Sequence, residues 1–218
     1  MKLTKGMKKA LSLLLTSALV ITGANFGGAS ASAADAKKTT TNIATWEGSM
    51  SIIKAKEVKK DDGKGGTYMA PVYDGAVKST ATTSAIEGLD LSTWNGGGEW
   101  WGGANVTASK VDYSAYDEVK VEVTGTATDK TSFNVNYNEN SETKAASKTA
   151  ISVEKGNFKE VVTFVPKSYC KSVSVSLDAE NNYEKVEVTK IAITGVKEEK
   201  TEETTAPTTS AAVTSGDA

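Results

Sequence analysis

The chain has 218 residues, room for one domain of roughly 150 residues with appendages. All 25 basic residues are lysine, set against 27 acids, and arginine and histidine are both absent. That composition excludes a Ser-His-Asp triad and histidine-ligated copper or zinc, the lack of a polybasic stretch argues against a nucleic-acid partner, and the single cysteine, Cys170, cannot close an intrachain disulfide.

Residues 1–34 read as a secretory signal peptide. Lys2, Lys5, Lys8 and Lys9 form its positive start, Ala10–Ile21 its apolar stretch, and the small residues 27–34 supply Ala-Ser-Ala cleavage sites. The apolar stretch is shorter than the roughly 20 residues a membrane span needs. The mature protein is therefore expected outside the cell, with no membrane association. Its freedom from disulfides fits a bacterial secreted domain better than a small eukaryotic one. Residues 35–42 read as a short polar lead-in.

From Ile43 to Val196 the dominant signal is period-two alternation. Trp46 shares parity with Met50 and Ile52, which assigns it to the core. Asp61-Asp62-Gly63 and Gly65-Gly66 mark a turn, followed by Tyr68 and Tyr73. Three of the four tryptophans then fall together, Trp94, Trp100 and Trp101, around a triple glycine. Alternation puts Trp100 with Gly102, Ala104 and Val106 on a core face. It puts Glu99, Trp101, Gly103 and Asn105 on a polar one.

Farther on, Val119, Val121 and Val123 alternate with polar residues, as do Phe133, Val135 and Tyr137, and Val173, Val175 and Leu177. Val161–Val165 is a strand ended by Pro166. Val186 and Val188 are out of phase with Ile191 and Ile193, which predicts a bulge at Thr189-Lys190. About nine or ten short strands without a helical period make an all-β fold, an antiparallel β-sandwich of jelly-roll type. Tyr113, Tyr116 and Tyr183 read as structural, and Cys170 as a buried small hydrophobe. Residues 197–218 are rich in Lys, Glu, Thr and Ser and read as a disordered linker or tail.

An exposed tryptophan beside amides is costly apolar surface unless something stacks on it. Pyranose rings present apolar C–H faces to indole and phenol planes, while amides and carboxylates hydrogen-bond their hydroxyls. Trp94 and Trp101 are the stacking candidates, with Tyr68 and Tyr73 as extensions. Glu99, Asn134 and Asn136 are the polar ones, and Asn138 is expected on the same non-core strand face as the two asparagines.

The segments Trp94–Ala104, Asp112–Gly125 and Tyr183–Gly195 resemble the jelly-roll carbohydrate-binding modules attached to secreted bacterial polysaccharidases. The resemblance implies non-catalytic binding of a plant cell-wall β-glycan of cellulose, β-1,4-glucan or mannan type. It implies a monomer, linked in some cases to a catalytic or anchoring module. It also implies a structural calcium held by an acid on the first strand, a role open to Glu47, although the matching last-strand position here is Thr189.

Two other classes stay open. A small jelly-roll glycoside hydrolase needs two carboxylates, about 5–5.5 Å apart for retention or about 6.5–9.5 Å for inversion. Glu99 is the best acid for it, and no second acid has an equally aromatic setting in the sequence. A cohesin-like scaffold module would instead present an apolar patch to a protein partner.

Overall fold

The computed structural model describes residues 37–99, 102–138 and 147–199. The strands are Lys37–Asp61 (β1), Thr67–Ser84 (β2), Asp90–Gly98 (β3), Gly103–Ser109 (β4), Glu118–Ala127 (β5), Thr131–Tyr137 (β6), Ser147–Val153 (β7), Gly156–Phe164 (β8), Ser172–Asp178 (β9) and Val186–Glu199 (β10). One helical turn, Ala179–Asn182 (α1), lies between β9 and β10. Every strand pairing is antiparallel.

The strand order is β7-β6-β9-β4-β3-β2-β1-β10-β5-β8. It divides into two five-stranded sheets, hinged where Tyr73 and Asp74 of β2 pair with Gly98 and Gly97 of β3. The hinge strand is glycine-rich for a steric reason. A Cβ at Gly97 would lie 2.1 Å from the Asp74 carboxylate, and one at nearby Gly75 would lie 2.0 Å from the Gly103 carbonyl.

Alternation builds the core as the sequence predicts. Trp46, Met50, Ile52, Val119, Val121, Val123, Ile191 and Ile193 come from the first sheet. Val106, Ala108, Phe133, Val135, Val173, Val175 and Leu177 come from the second. Rings meet across the layers, with Phe133 and Phe158 centroids 5.6 Å apart and Tyr137 stacked on Phe164 at 4.1 Å. Trp46 is buried and satisfies its indole N–H by donating to Ser79 Oγ at 2.7 Å. The β10 register shifts between Val188 and Lys190, where the out-of-phase valines and isoleucines predict a bulge.

Tyr113, in the short 3-10 turn after β4, is buried, and its hydroxyl donates to the Ala108 carbonyl at 3.1 Å. Tyr116 covers Gly195, where a Cβ would lie 2.3 Å from the ring. Cys170 is buried and free, and burial pushes its thiol pKa up, away from nucleophile character.

Three features differ from the expectations. Strand pairing runs past the boundaries drawn at residues 43 and 196: Lys37–Asn42 pairs with Thr194–Glu199, tied by Lys37–Glu199 and Lys38–Glu198 ion pairs. Second, β1 and β2 form one long hairpin whose outer part, Lys54–Asp61 with Thr67–Tyr73, has no clean alternation to announce it.

Third, Asn138 is not on the outer face. β6 ends at Tyr137, and Asn138 takes φ +52 and turns inward. There its Oδ1 accepts from the Lys167 amide at 2.8 Å and its Nδ2 donates to the Val165 carbonyl at 3.3 Å. Asparagine enters this left-handed region more readily than most residues, which suits it to a strand end.

Candidate functional site

The outer face of the second sheet is built from the residues that alternate with its core valines. Opposite pairs set its rows. Trp94 of β3 faces Asn105 of β4, which faces Ser176 of β9, which faces Asn134 of β6. The next row runs Ser92, Thr107, Ser174, Asn136. From β3 to β6 every side chain in these two rows other than Trp94 is an uncharged hydroxyl or amide, and on the edge strand β7 the rows continue into Ala150 opposite Asn134 and the exposed Lys148 opposite Asn136. The first sheet's outer face is the opposite: Lys159–Glu122, Lys190–Glu47 and Lys120–Glu118 form ion pairs across it at 2.9, 2.8 and 3.3 Å.

Trp94 is 47% exposed, and two glycines explain how an indole lies flat there. A Cβ at Gly96 would lie 2.1 Å from both Cζ2 and Cη2 of Trp94, and one at Gly103 would lie 3.2 Å from its Cζ3. The ring therefore rests on bare backbone with its other side turned to solvent.

The amides beside it differ in their freedom. Asn136 Nδ2 donates to Ser174 Oγ at 3.2 Å and to Ser176 Oγ at 2.9 Å, so it orients the serine hydroxyls. Asn105 Oδ1 accepts from Thr107 Oγ1 at 3.2 Å. The Asn134 amide has no side-chain partner among the described residues.

The other candidate residues gather elsewhere. Tyr68, Tyr73 and Glu99 line a cleft of about 470 Å³ at one end of the sandwich, together with Ala70, Pro71, Ala179 and Glu180. Tyr183 and Lys185 complete the lining. Tyr68, 51% exposed, projects from the outer hairpin. Tyr73 and Tyr183 are in ring contact, centroids 4.6 Å apart at 50°, and the Tyr183 hydroxyl donates to Glu184 Oε1 at 2.8 Å. Tyr183 thus packs on the core, as expected of a structural residue, and also faces the cleft. Glu99 pairs with Lys60, and that hydrogen bond raises the lysine's pKa above its ordinary value.

The cleft wall is anchored by a residue that alternation does not reveal. Asp178 caps α1 by accepting from the Asn181 amide at 2.9 Å. Asn182 is wholly buried. It accepts from the Asp178 amide at 2.8 Å and donates to the Ser132 carbonyl at 2.8 Å and to Thr131 Oγ1 at 3.2 Å, which fastens α1 to β6.

Glu47 does not sit in a calcium-like cage. Its carboxylate accepts from Lys190 Nζ at 2.8 Å, and Thr189 Oγ1 donates to the Thr124 carbonyl at 3.3 Å. A lysine holds the place a cation's charge would take, so these residues do not fit the ion. The Asp61 and Asp62 carboxylates accept from the amides of Gly63, Lys64 and Gly66, as in a tight hairpin turn. Among the described residues no group of three or more acidic or cysteine side chains comes together in metal-binding fashion. Trp101, and the core position expected for Trp100, lie outside the described residues.

No family model and no curated protein matches the chain. Among solved structures, it is similar at 11% identity and a TM-score of 0.29 to the enzymatically active domain of tailspike protein 4 of bacteriophage CBA120. That match covers 76% of this chain and 20% of the other, so the chain spans about a fifth of the tailspike's length. It is also similar, at 8% identity and a TM-score of 0.28, to CBM28, a non-crystalline cellulose specific carbohydrate-binding module, covering 68% of this chain and 86% of that one.

Proposed function

We propose that this chain is a secreted, non-catalytic carbohydrate-binding module for a neutral β-glycan, of cellulose, β-1,4-glucan or mannan type. The observation that carries the reading is the contrast between the two outer faces. One is crossed by ion pairs in the ordinary manner of a soluble protein. The other is a hydroxyl and amide surface without charge in its two central rows from β3 to β6, flanked by a half-exposed indole lying on glycine backbone. A neutral sugar chain matches that chemistry: its C–H face stacks on Trp94, and its hydroxyls exchange hydrogen bonds with Asn134, Asn105 and the serines that Asn136 orients. The single charge in those rows, Lys148, lies at the β7 edge, away from Trp94.

Glu99, Tyr68 and Tyr73 would extend the contact at the end of the sandwich rather than on this face. Trp101 would be a second stacking residue. The polar ligand set needs neither a metal nor a redox group.

The test is affinity electrophoresis of the chain from Ala36 onward, which contains every described strand. The gels would contain hydroxyethylcellulose, mixed-linkage β-glucan, glucomannan, xyloglucan or xylan, with a reducing-sugar assay on the same samples. Retardation by a neutral glycan without sugar release is the expected result. Sugar release would make the protein a hydrolase, with Glu99 and Glu180, which share the cleft, as the first residues to replace. Retardation on no glycan would contradict the proposal.

A further inference from the structure

We infer that the cleft is a second, separate carbohydrate subsite, taking one or two sugar rings, so that the domain holds a glycan at two places. This rests on the glycan-binding reading of the sheet face and takes the residues at the end of the sandwich as a site of their own. The cleft brings together side chains from four places in the chain: Tyr68, Ala70, Pro71 and Tyr73 of β2, Glu99 after β3, Glu180 of α1, and Tyr183 and Lys185 before β10. Its volume of about 470 Å³ lies in the range of clefts that take small ligands.

The lining chemistry selects a sugar. Three tyrosine rings supply flat apolar surface with polar tips, two carboxylates supply acceptors for hydroxyl protons, and the Lys185 ammonium supplies a donor to hydroxyl oxygens. Neither Glu180 nor Lys185 has an ion-pair partner among the described residues, so both charges are free for a ligand. A fatty or aromatic ligand would leave those charges unmatched, whereas a polyol satisfies both signs at once.

The two places are mechanically joined. β3 carries Trp94 on the face and runs into Glu99 at the cleft, while β9 carries Ser174 and Ser176 and runs through Asp178 into α1. One polymer engaging both would gain avidity from the fixed spacing, whereas a disaccharide would bind each independently.

The test is amide chemical-shift mapping of the chain from Ala36 onward, titrated separately with cellobiose, mannobiose and xylobiose. The expected result is that at least one disaccharide shifts the amides of Glu99, Ala179 and Lys185, and does so equally in the Trp94→Ala variant. Tyr68→Ala or Glu180→Gln, both at exposed positions, should weaken those shifts tenfold or more while leaving any shifts at Asn134 and Ser176 unchanged. Cleft amides unmoved by all three sugars, or cleft shifts lost with Trp94→Ala, would overturn the second subsite. Failure of the sheet-face reading would look different: unmoved Asn134 and Ser176 amides, and polymer retention indifferent to Trp94.

Discussion

Replacing Gly96 by alanine tests the seat of Trp94 without touching the tryptophan. The added Cβ would lie 2.1 Å from two ring carbons, well inside contact distance, so the indole must leave its ledge. The backbone at Gly96 is not in the left-handed region, so alanine itself is tolerated there. Trp94 is 47% exposed, leaving on the order of 100 Å² of ring for a ligand to cover; at about 25 cal/mol per Å², and allowing for imperfect fit, that is about 2 kcal/mol. Binding to the retarding glycan should therefore weaken roughly 30-fold, close to the effect of Trp94→Ala. Thermal stability should change little, because the displaced ring sits at the surface. Affinity electrophoresis reads the loss of binding, a melting curve the stability, and a red shift of tryptophan emission the displaced indole. Unchanged retention together with a displaced indole would refute the stacking argument.

Two further predictions concern the frame. Asn182→Ala removes three hydrogen bonds of a buried side chain at about 1 kcal/mol each, which should lower stability by about 3 kcal/mol and the melting temperature by roughly 6–12 °C; an unchanged melting curve would mean that α1 is not fastened through this side chain. Burial raises the pKa of the Tyr113 hydroxyl in the folded protein, so its contribution is complete below about pH 10 and is lost as pH rises above it. Urea midpoints should fall across that alkaline range, and Tyr113→Phe should flatten part of the fall while costing about 1 kcal/mol at neutral pH from the lost hydrogen bond to the Ala108 carbonyl. An identical alkaline slope in the variant would contradict it.

Local alternation in the sequence carried most of the sandwich. Val119, Val121 and Val123 against Lys120, Glu122 and Thr124 could be oriented by parity alone, and Trp46 went inward with Met50 and Ile52 for the same reason. The β10 bulge was visible because one register slip exchanges the two faces of a strand. Trp94 was legible as exposed from the glycines beside it.

Parity failed where the chain stops being a strand. Asn138 falls on the outer phase of β6, but its left-handed backbone turns it inward to the Val165–Lys167 loop. The cleft was illegible for another reason. Tyr68, Tyr73 and Glu99 are separate candidates in the sequence, but their meeting with Glu180, Tyr183 and Lys185 depends on pairing between residues more than a hundred positions apart. Glu47 holds the first-strand position that the resemblance gives to a calcium ligand, and only the β1–β10 pairing sets Lys190 opposite it.

The central claim is that a neutral glycan lies on the hydroxyl and amide rows against Trp94. The most direct measurement is calorimetric titration of the best-retained glycan into the chain from Ala36 onward and into its Trp94→Ala variant. The account predicts measurable binding to the first and an affinity lower by about 30-fold in the second, with both proteins melting at nearly the same temperature. Equal affinity for the two folded proteins would contradict it.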